Sequence, residues 1–328
     1  MRRSVIFNVL ACFSFFWVSC ATRTDFPHSS TSDFDLASVL KLTRAAEYIS
    51  RGKALAEEGR YKEALELIKE GIEIYPYNAV GYTLLGQIHF LLSNFEKALR
   101  YASLALEKDP ASDGANGIMG AILHFGFGEH DRALHYYNLA IRHAPNASDH
   151  FFNRGQLHRL TGRNGMALED FNSAINISPF NDTYRRERGI VLKQLGKFEE
   201  ALIDFYSLLR MNNNSVETLW LITLAYLFSN RHDETLYTAK RIMRIDPSQY
   251  NAYHMVGLIL GTRDEFNEAV KWISRAIEIN PFFISAYEVR AEIFEVLAET
   301  ALPPRDAYYR LRALQDEEMA LRLRYYQD

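Results

Sequence analysis

The sequence predicts an all-α solenoid of about seven helix pairs followed by C-terminal capping helices. Three observations lead to this fold class. Proline recurs at intervals of 34 or 35 residues, with one interval of 68. Glycine or another small residue keeps the same period. Each period also holds two apolar stripes with the i, i+3, i+4, i+7 spacing of amphipathic helices.

The first element of the chain is a short apolar run from Val5 to Val18, preceded by two arginines. A run of this length is too short to span a bilayer as a helix, which needs about 20 residues. A basic start, a short apolar run and the small residue Ser19 are typical of a secretory signal. We therefore predict a signal peptide at residues 1–19. Its removal would take the formal net charge from −4 to −6, which disfavours nucleic-acid binding.

Cys20 follows this segment directly, and the only other cysteine, Cys12, lies inside it. A disulfide between the two would not survive removal of the signal. In a bacterial chain, WVSC at residues 17–20 resembles a lipoprotein signal box, although tryptophan stands where leucine is usual. The resemblance implies lipidation of Cys20, with a palmitate-type acyl anchor and a lipid-anchored tether at residues 20–34. Because Ala21 rather than Asp follows, it also implies the cell envelope, on the periplasmic side of the outer membrane.

The body of the chain is built from the repeat. The second copy reads AVGYTLLGQIHFLLSNFEKALRYASLALEKDPAS. The period is marked by Pro76, Pro110, Pro145, Pro179, Pro247 and Pro281. Small residues recur in each second helix at Ala64, Ala98, Ala133, Ala167, Ala201 and Ala269, with Thr235 as the exception. They allow the two helices of a pair to approach closely.

This pattern resembles the tetratricopeptide repeat, whose period is about 34 residues. The resemblance implies a right-handed superhelix in which first helices line a concave groove and second helices form the outer wall. We predict a solenoid at residues 35–300. Its repeats lie near 45–78, 79–112, 113–147, 148–181, 182–215, 216–249 and 250–283, with a half repeat at 284–300.

The C-terminal segment, residues 301–328, is predicted to be a capping helix. Asp306 is expected to cap this helix after two prolines, and the helix is expected to run to about Tyr326. Its charged residues should face the solvent and its apolar stripe the stack. The stripe consists of Leu311, Leu314, Leu321 and Tyr325.

The third repeat departs from the others in the stretch HFGFGEHDRA, which has one extra residue between Gly120 and Ala133. It also carries two further glycines, Gly126 and Gly128. We expect the turn between its helices to be longer and looser than in neighbouring repeats. Lower local stability, close approach of another chain and simple drift of one repeat all fit this departure.

The sequence offers no catalytic or metal-binding motif. Six of the ten histidines lie between His124 and His158, but none forms the His-Glu-x-x-His pattern that places two ligands on one helical face. No Gly-Lys-Ser/Thr phosphate loop and no Gly-x-Ser-x-Gly nucleophile motif occurs. We therefore expect no enzyme, no metal and no cofactor.

Partner binding is expected in the groove, as the resemblance implies. Its middle carries cations and amides that suit an acidic or C-terminal carboxylate group. The next region is apolar, and suits a helix or extended hydrophobic segment unless the C-terminal helix covers it. The predicted groove residues are Phe152, Asn153, Gln156, Arg159, Arg186, Lys193, Trp220, Leu224 and His254, with Phe228 on the same face as Leu224.

The carboxylate clamp of the family is not reproduced, since Ile49, Thr83 and Lys53 stand at its positions. A receptor for chaperone tails is therefore not expected. The combination resembles bacterial envelope lipoproteins that dock cell-wall hydrolases, pilus machinery or outer-membrane assembly complexes. The predicted function is a non-enzymatic membrane-anchored scaffold for protein or peptide partners. The alternative is a small-molecule or transporter-associated binding lipoprotein, with a pocket between Phe152 and Trp220.

Overall fold

A computed structural model describes residues 36–326. The predicted signal peptide and the whole predicted tether, with Cys20, lie outside these residues. The described part is helical and contains no strand, which confirms the predicted all-α class. Across residues 36–326, no helix combines the length and the apolar character needed to cross a membrane.

Sixteen α-helices follow one another between residues 36 and 326. They form seven repeat pairs and one terminal pair. In chain order they are α1 Leu36–Glu57, α2 Tyr61–Ile74, α3 Ala79–Leu91, α4 Phe95–Lys108, α5 Asp113–Ala121, α6 His130–His143, α7 Ser148–Leu160, α8 Asn164–Ile177, α9 Asp182–Gln194, α10 Phe198–Met211, α11 Val216–Phe228, α12 His232–Ile245, α13 Tyr250–Gly261, α14 Phe266–Ile279, α15 Ile284–Thr300 and α16 Arg305–Tyr325.

The described residues divide into two compact units, 36–191 and 192–326, and the boundary lies inside α9. Within each unit the small repeat positions are buried between helices. The small residue of every second helix is fully buried, namely Ala64, Ala98, Ala133 and Ala167 in the first unit, and Ala201, Thr235 and Ala269 in the second. At Gly257 a Cβ atom would stand 2.4 Å from Ile273 Cγ1, so only glycine fits there without displacing its neighbour.

Each repeat pair turns through a residue with positive φ. Four of these residues are glycines, for which the left-handed conformation carries no steric penalty. The other three are Ser93, Asn230 and Asp264. The turn is therefore a property of the repeat position, and glycine is its usual but not its obligatory occupant.

The extra residue of the third repeat does not lengthen the turn, so that expectation is wrong. It is absorbed by a π-helical segment, Ile122–Phe127, that continues α5. Only residues 128–129 then separate this segment from α6, against residues 92–94 in the preceding pair. The close approach is made by the chain itself, because a Cβ on Gly126 would stand 2.8 Å from Phe95 Cγ. Lower local stability here stays a prediction.

Helix α16 lies against α15, but with the opposite face to the one predicted. Leu311, Leu314, Leu321 and Tyr325 are all exposed, whereas Ala313, Asp316 and Ala320 are buried. Its N-cap residue is Pro304, without a side-chain cap, and Asp306 lies in the first turn. Both the predicted cap and the predicted inward stripe are therefore wrong. The physical reason is a buried ion pair made by Asp316, described below.

Candidate functional site

The predicted groove residues lie on four first helices. α7 carries Phe152, Asn153, Gln156 and Arg159, and α9 carries Arg186 and Lys193. α11 carries Trp220 and Leu224, and α13 carries His254. Their surroundings differ strongly, so each group is described within its own unit.

In the first unit, Phe152 is a core residue and not a groove residue. It is 1% exposed, and its ring packs against Tyr184 and Phe171 with centroid distances of 4.8 and 5.7 Å. Asn153 is also buried, and its Nδ2 has no hydrogen-bond partner. Phe152 is therefore enclosed by one ring from its own repeat and one from the next.

Arg159 is partly exposed on the first unit, and its guanidinium is paired with a carboxylate. Its Nε lies 3.2 Å from Glu187 Oε2 on α9. This ion pair joins the first helices of two successive repeats. Gln156 and Arg186 are half-buried on the same helices, and their role in binding stays a prediction.

In the second unit, Lys193 is a half-buried cation without a carboxylate partner. No Asp or Glu lies within ion-pair distance of its Nζ among residues 36–326, and the Nζ instead stands 5.5 Å from the ring centroid of Phe228. Burial lowers the pKa of Lys193, because desolvation disfavours the ammonium. Such a cation would gain from an incoming anion.

Phe228 is 59% exposed and ends an apolar stripe on α11. Leu224 and Trp220 are half-buried at i−4 and i−8 on the same helical face. The indole Nε1 donates a long hydrogen bond of 3.4 Å to Gln249 Oε1. We call Lys193, Trp220, Leu224 and Phe228 the Lys193 patch. It combines one cation with an accessible apolar surface.

His254 does not extend this patch. Its ring is buried and packs edge-to-face on Phe283, with a centroid distance of 4.9 Å. Burial lowers the pKa of His254, because desolvation disfavours the imidazolium. Its Nε2 has no hydrogen-bond partner.

The first unit also contains a cleft of about 920 Å³ that the sequence did not predict. It lies along the turns that precede α7 and α9, with Phe180 almost fully exposed at its edge. Inside it the Tyr184 hydroxyl donates to Asp149 Oδ1 over 2.5 Å. Burial raises the pKa of Asp149, because desolvation disfavours the carboxylate. Most of the residues that line this cleft come from two separate turns and form no binding motif in the sequence, so the cleft could not be predicted from it.

In the part of the chain that the structure describes, no group of three His, Cys, Asp or Glu side chains comes close enough to hold a metal ion. The histidines around His124 lie on separate helical segments, and their rings contact other aromatic rings.

Tetratricopeptide repeat family models match this chain at residues 55–122, 118–182 and 250–283. Two curated proteins are similar over a shorter segment. Hsp70-Hsp90 organizing protein 1 of Glycine max and Tetratricopeptide repeat protein 33 of Mus musculus are each 28% identical over 102 residues, or 31% of this chain. The match spans 18% of the soybean protein and 38% of the mouse protein.

Solved structures with this fold include the tetratricopeptide repeat protein YrrB, described as having an unusual peptide-binding site. It is 20% identical with a TM-score of 0.50, and the match covers 58% of this chain and 97% of YrrB. PilF of Pseudomonas aeruginosa is 18% identical with a TM-score of 0.55, over 63% of this chain and 94% of PilF. The Cut9-Hcn1 hetero-tetramer of the APC/C matches with a TM-score of 0.51 at 17% identity, over 77% of this chain and 53% of the matched chain. At these identities the likeness concerns the fold alone.

Proposed function

The chain is a tetratricopeptide repeat protein, a protein-interaction scaffold, and from this premise we propose a more specific role. It is a non-enzymatic, membrane-anchored adaptor that binds protein or peptide partners through the first-helix face. Its partners belong to an assembly or cell-wall complex of the bacterial envelope. The anchor is a lipid on Cys20.

The observation that carries the binding proposal is the Lys193 patch. An ammonium that is half-buried and lacks a carboxylate partner gains about 1.5–3 kcal/mol from a charged hydrogen-bond acceptor. The exposed ring of Phe228 and the side chain of Leu224 lie next to it. A peptide with a carboxylate followed by apolar side chains complements both features. The ligand class is therefore an acidic or C-terminal peptide segment.

Replacing Lys193 by glutamate is expected to abolish capture of these partners. The new carboxylate would repel the ligand carboxylate, so recovery should fall by about tenfold or more. A photo-cross-linking amino acid at Leu224 in intact cells, followed by mass spectrometry, identifies and counts the captured proteins. Far-UV circular dichroism checks that the helical content is unchanged.

Lys240→Glu is the matched control, because Lys240 is exposed on the second helix α12. It makes the same change of charge in the same unit and should leave capture intact. If Lys193→Glu retains every partner that the control retains, the Lys193 patch is not the binding site.

The membrane anchor is supported by the sequence around Cys20. Val18, Ser19 and Ala21 fit a lipoprotein signal, and the mature chain would contain no other cysteine. Each buried acyl CH₂ contributes about 0.8 kcal/mol, and stable attachment needs more than one chain. A diacylated or triacylated Cys20 meets that requirement.

Replacing Cys20 by serine is expected to abolish fatty-acid labelling and to move the protein from the membrane fraction to the soluble fraction. Labelled palmitate and membrane fractionation measure both effects. Cys12→Ser is the control, because Cys12 would leave with the signal peptide and both readouts should stay as in the wild type. Unchanged labelling of Cys20→Ser would exclude a lipid at this position.

A further inference from the structure

The outer face of α16 carries an apolar stripe that no described residue of the second unit covers. We call Leu311, Leu314, Leu321 and Tyr325 the C-terminal stripe. Their side chains are 55%, 61%, 63% and 81% exposed. Large apolar side chains gathered on one helical face indicate a contact surface.

The helix cannot roll to bury this stripe, because a buried ion pair holds its inner face. Arg290 of α15 donates from Nε and Nη2 to the two carboxylate oxygens of Asp316, each over 2.7 Å. Its Nη1 donates to Ser274 Oγ over 2.8 Å. The small side chains of Ala313 and Ala320 are buried beside Asp316. The opposite face is therefore fixed toward solvent.

The spacing of the stripe suits a second helix. Its members stand three, seven and four residues apart, which is the a and d pattern of a helix–helix seam. Glu318 occupies the remaining seam position, and its carboxylate lies 2.6 Å from Arg322 Nη2. A parallel second copy would bring two Glu318 carboxylates to the same height, and like charges that face each other across an interface are unfavourable. An antiparallel copy avoids this contact.

Charges beside the stripe select one antiparallel register. Along one flank the order is Arg310, Glu317 and Arg324. When Glu317 faces Arg324 of a second copy, the two-fold axis makes this attractive contact twice. A shift by one heptad would set Glu317 against Glu317 and Arg310 against Arg324. Arg324 also pairs with Glu288 of its own α15, so it would bridge two carboxylates.

The same register brings Tyr325 of one copy to Leu314 of the other. Leu314 borders a hollow of about 220 Å³ between α15 and α16. Ala313 contributes an apolar wall to this hollow, and Arg310 and Glu317 also line it. An aromatic ring seated there would contact aliphatic carbon with a guanidinium at the rim. Charge pairing and shape thus agree on one arrangement.

We propose that two copies of this chain associate through antiparallel pairing of their α16 helices. Glu317 binds Arg324 of the second copy, and Tyr325 lies in the hollow beside Leu314 of the second copy. The interface is isologous, with a charged flank and a seam in which Leu314, Leu321 and Tyr325 supply the apolar contacts. Glu318 lies beside Leu321 of the second copy in this seam, where its carboxylate keeps the ion pair with Arg322. Because each copy contributes only one helix, the interface is small and the association of the two copies is reversible.

The test uses two differently tagged full-length copies expressed together, and measures how much of one is recovered with the other. Leu321→Glu places a charge at the centre of the seam and should lower this recovery by about tenfold or more. Ile203→Glu is the matched control, because Ile203 is an exposed apolar residue of α10 in the same unit. It should leave recovery unchanged, and circular dichroism verifies that both variants are folded.

Charge exchange then tests the register. Glu317→Arg and Arg324→Glu should each reduce recovery, and the two substitutions together should restore it. Restoration by Glu317→Arg with Arg322→Glu instead would contradict the antiparallel register. No recovery between wild-type copies, or full recovery with Leu321→Glu, would overturn the proposal. If Leu321→Glu leaves recovery of the second copy unchanged but reduces binding to membranes or to another protein, that occupant covers the stripe and the proposal is wrong.

Discussion

Replacing Asp316 by alanine is expected to destabilise the second unit by about 3–5 kcal/mol, since it leaves the charge of Arg290 buried without a partner. Both side chains are at most 10% exposed, and Asp316 accepts two hydrogen bonds from the guanidinium. The loss should be concentrated in α15 and α16, because this pair joins them. Urea unfolding gives the free energy, and hydrogen exchange shows whether α16 detaches.

Two comparisons separate the buried charge from general damage to the helix. Glu318→Ala removes an exposed ion pair with Arg322 and should cost less than about 1 kcal/mol. Replacing both partners, Arg290→Met with Asp316→Leu, should recover most of the stability because no unpaired charge remains buried. A loss below 1 kcal/mol in Asp316→Ala would show that the ion pair does not hold α16.

Acidification between pH 6.5 and about 4 is expected to remove about 3 kcal/mol of stability through His124 alone. Burial, with a smaller contribution from the nearby His130, lowers the pKa of His124 to about 4. In the unfolded chain the pKa of histidine is near 6.5. Between these values the unfolded state binds more protons, so stability is complete above pH 6.5 and falls as the pH falls. Each unit of difference corresponds to about 1.4 kcal/mol.

The environment of His124 explains why its charged form is disfavoured. The ring lies in the π-helical segment, stacks on Phe125 with a centroid distance of 4.0 Å and meets Tyr137 edge-on. Neither ring nitrogen has a hydrogen-bond partner. An imidazolium in this place would be desolvated without any compensating acceptor.

The difference between the wild type and His124→Phe isolates this effect from other titrating groups. Asp149, whose pKa is raised by burial, acts in the opposite direction but cancels in the comparison. In the wild type the free energy of unfolding falls between pH 7 and pH 4.5. This fall should be about 2–3 kcal/mol smaller in His124→Phe. Exposed His135→Phe is the control and should keep the wild-type pH dependence. Equal pH dependence in all three proteins would exclude His124 as the source.

Much of the fold could be predicted from the repeat because its cause is local. The helix pairs follow from the periodic apolar residues. Positions such as Ala98 and Ala269 must hold small residues, because two helices touch there. The π-helical segment could not be predicted in the same way. An extra residue between Gly120 and Ala133 is visible in the sequence, but a longer turn and a wider helical turn accommodate it equally well. Contact between Gly126 and Phe95 of the preceding repeat favours the second solution.

For the candidate site, the sequence predicted which helices carry it but not which of their side chains are exposed. Phe152 and Phe228 are both aromatic residues on predicted groove helices, yet one is core and the other is 59% exposed. The difference depends on Tyr184 and Phe171, which enclose Phe152 from other helices. Among residues 36–326 no carboxylate pairs with Lys193, and this too depends on which helices the fold places around it.

The sequence by itself determined that this chain is a series of tetratricopeptide helix pairs, since a 34-residue period of small, apolar and proline residues is the signature of that repeat. Only the tertiary structure decided which faces of those helices remain open. Helical periodicity marks the C-terminal stripe at Leu311 to Tyr325 but carries no information on its direction. Burial of the Arg290–Asp316 pair outweighs burial of the leucines, because a charge left unpaired in the interior costs more than an apolar side chain left in water.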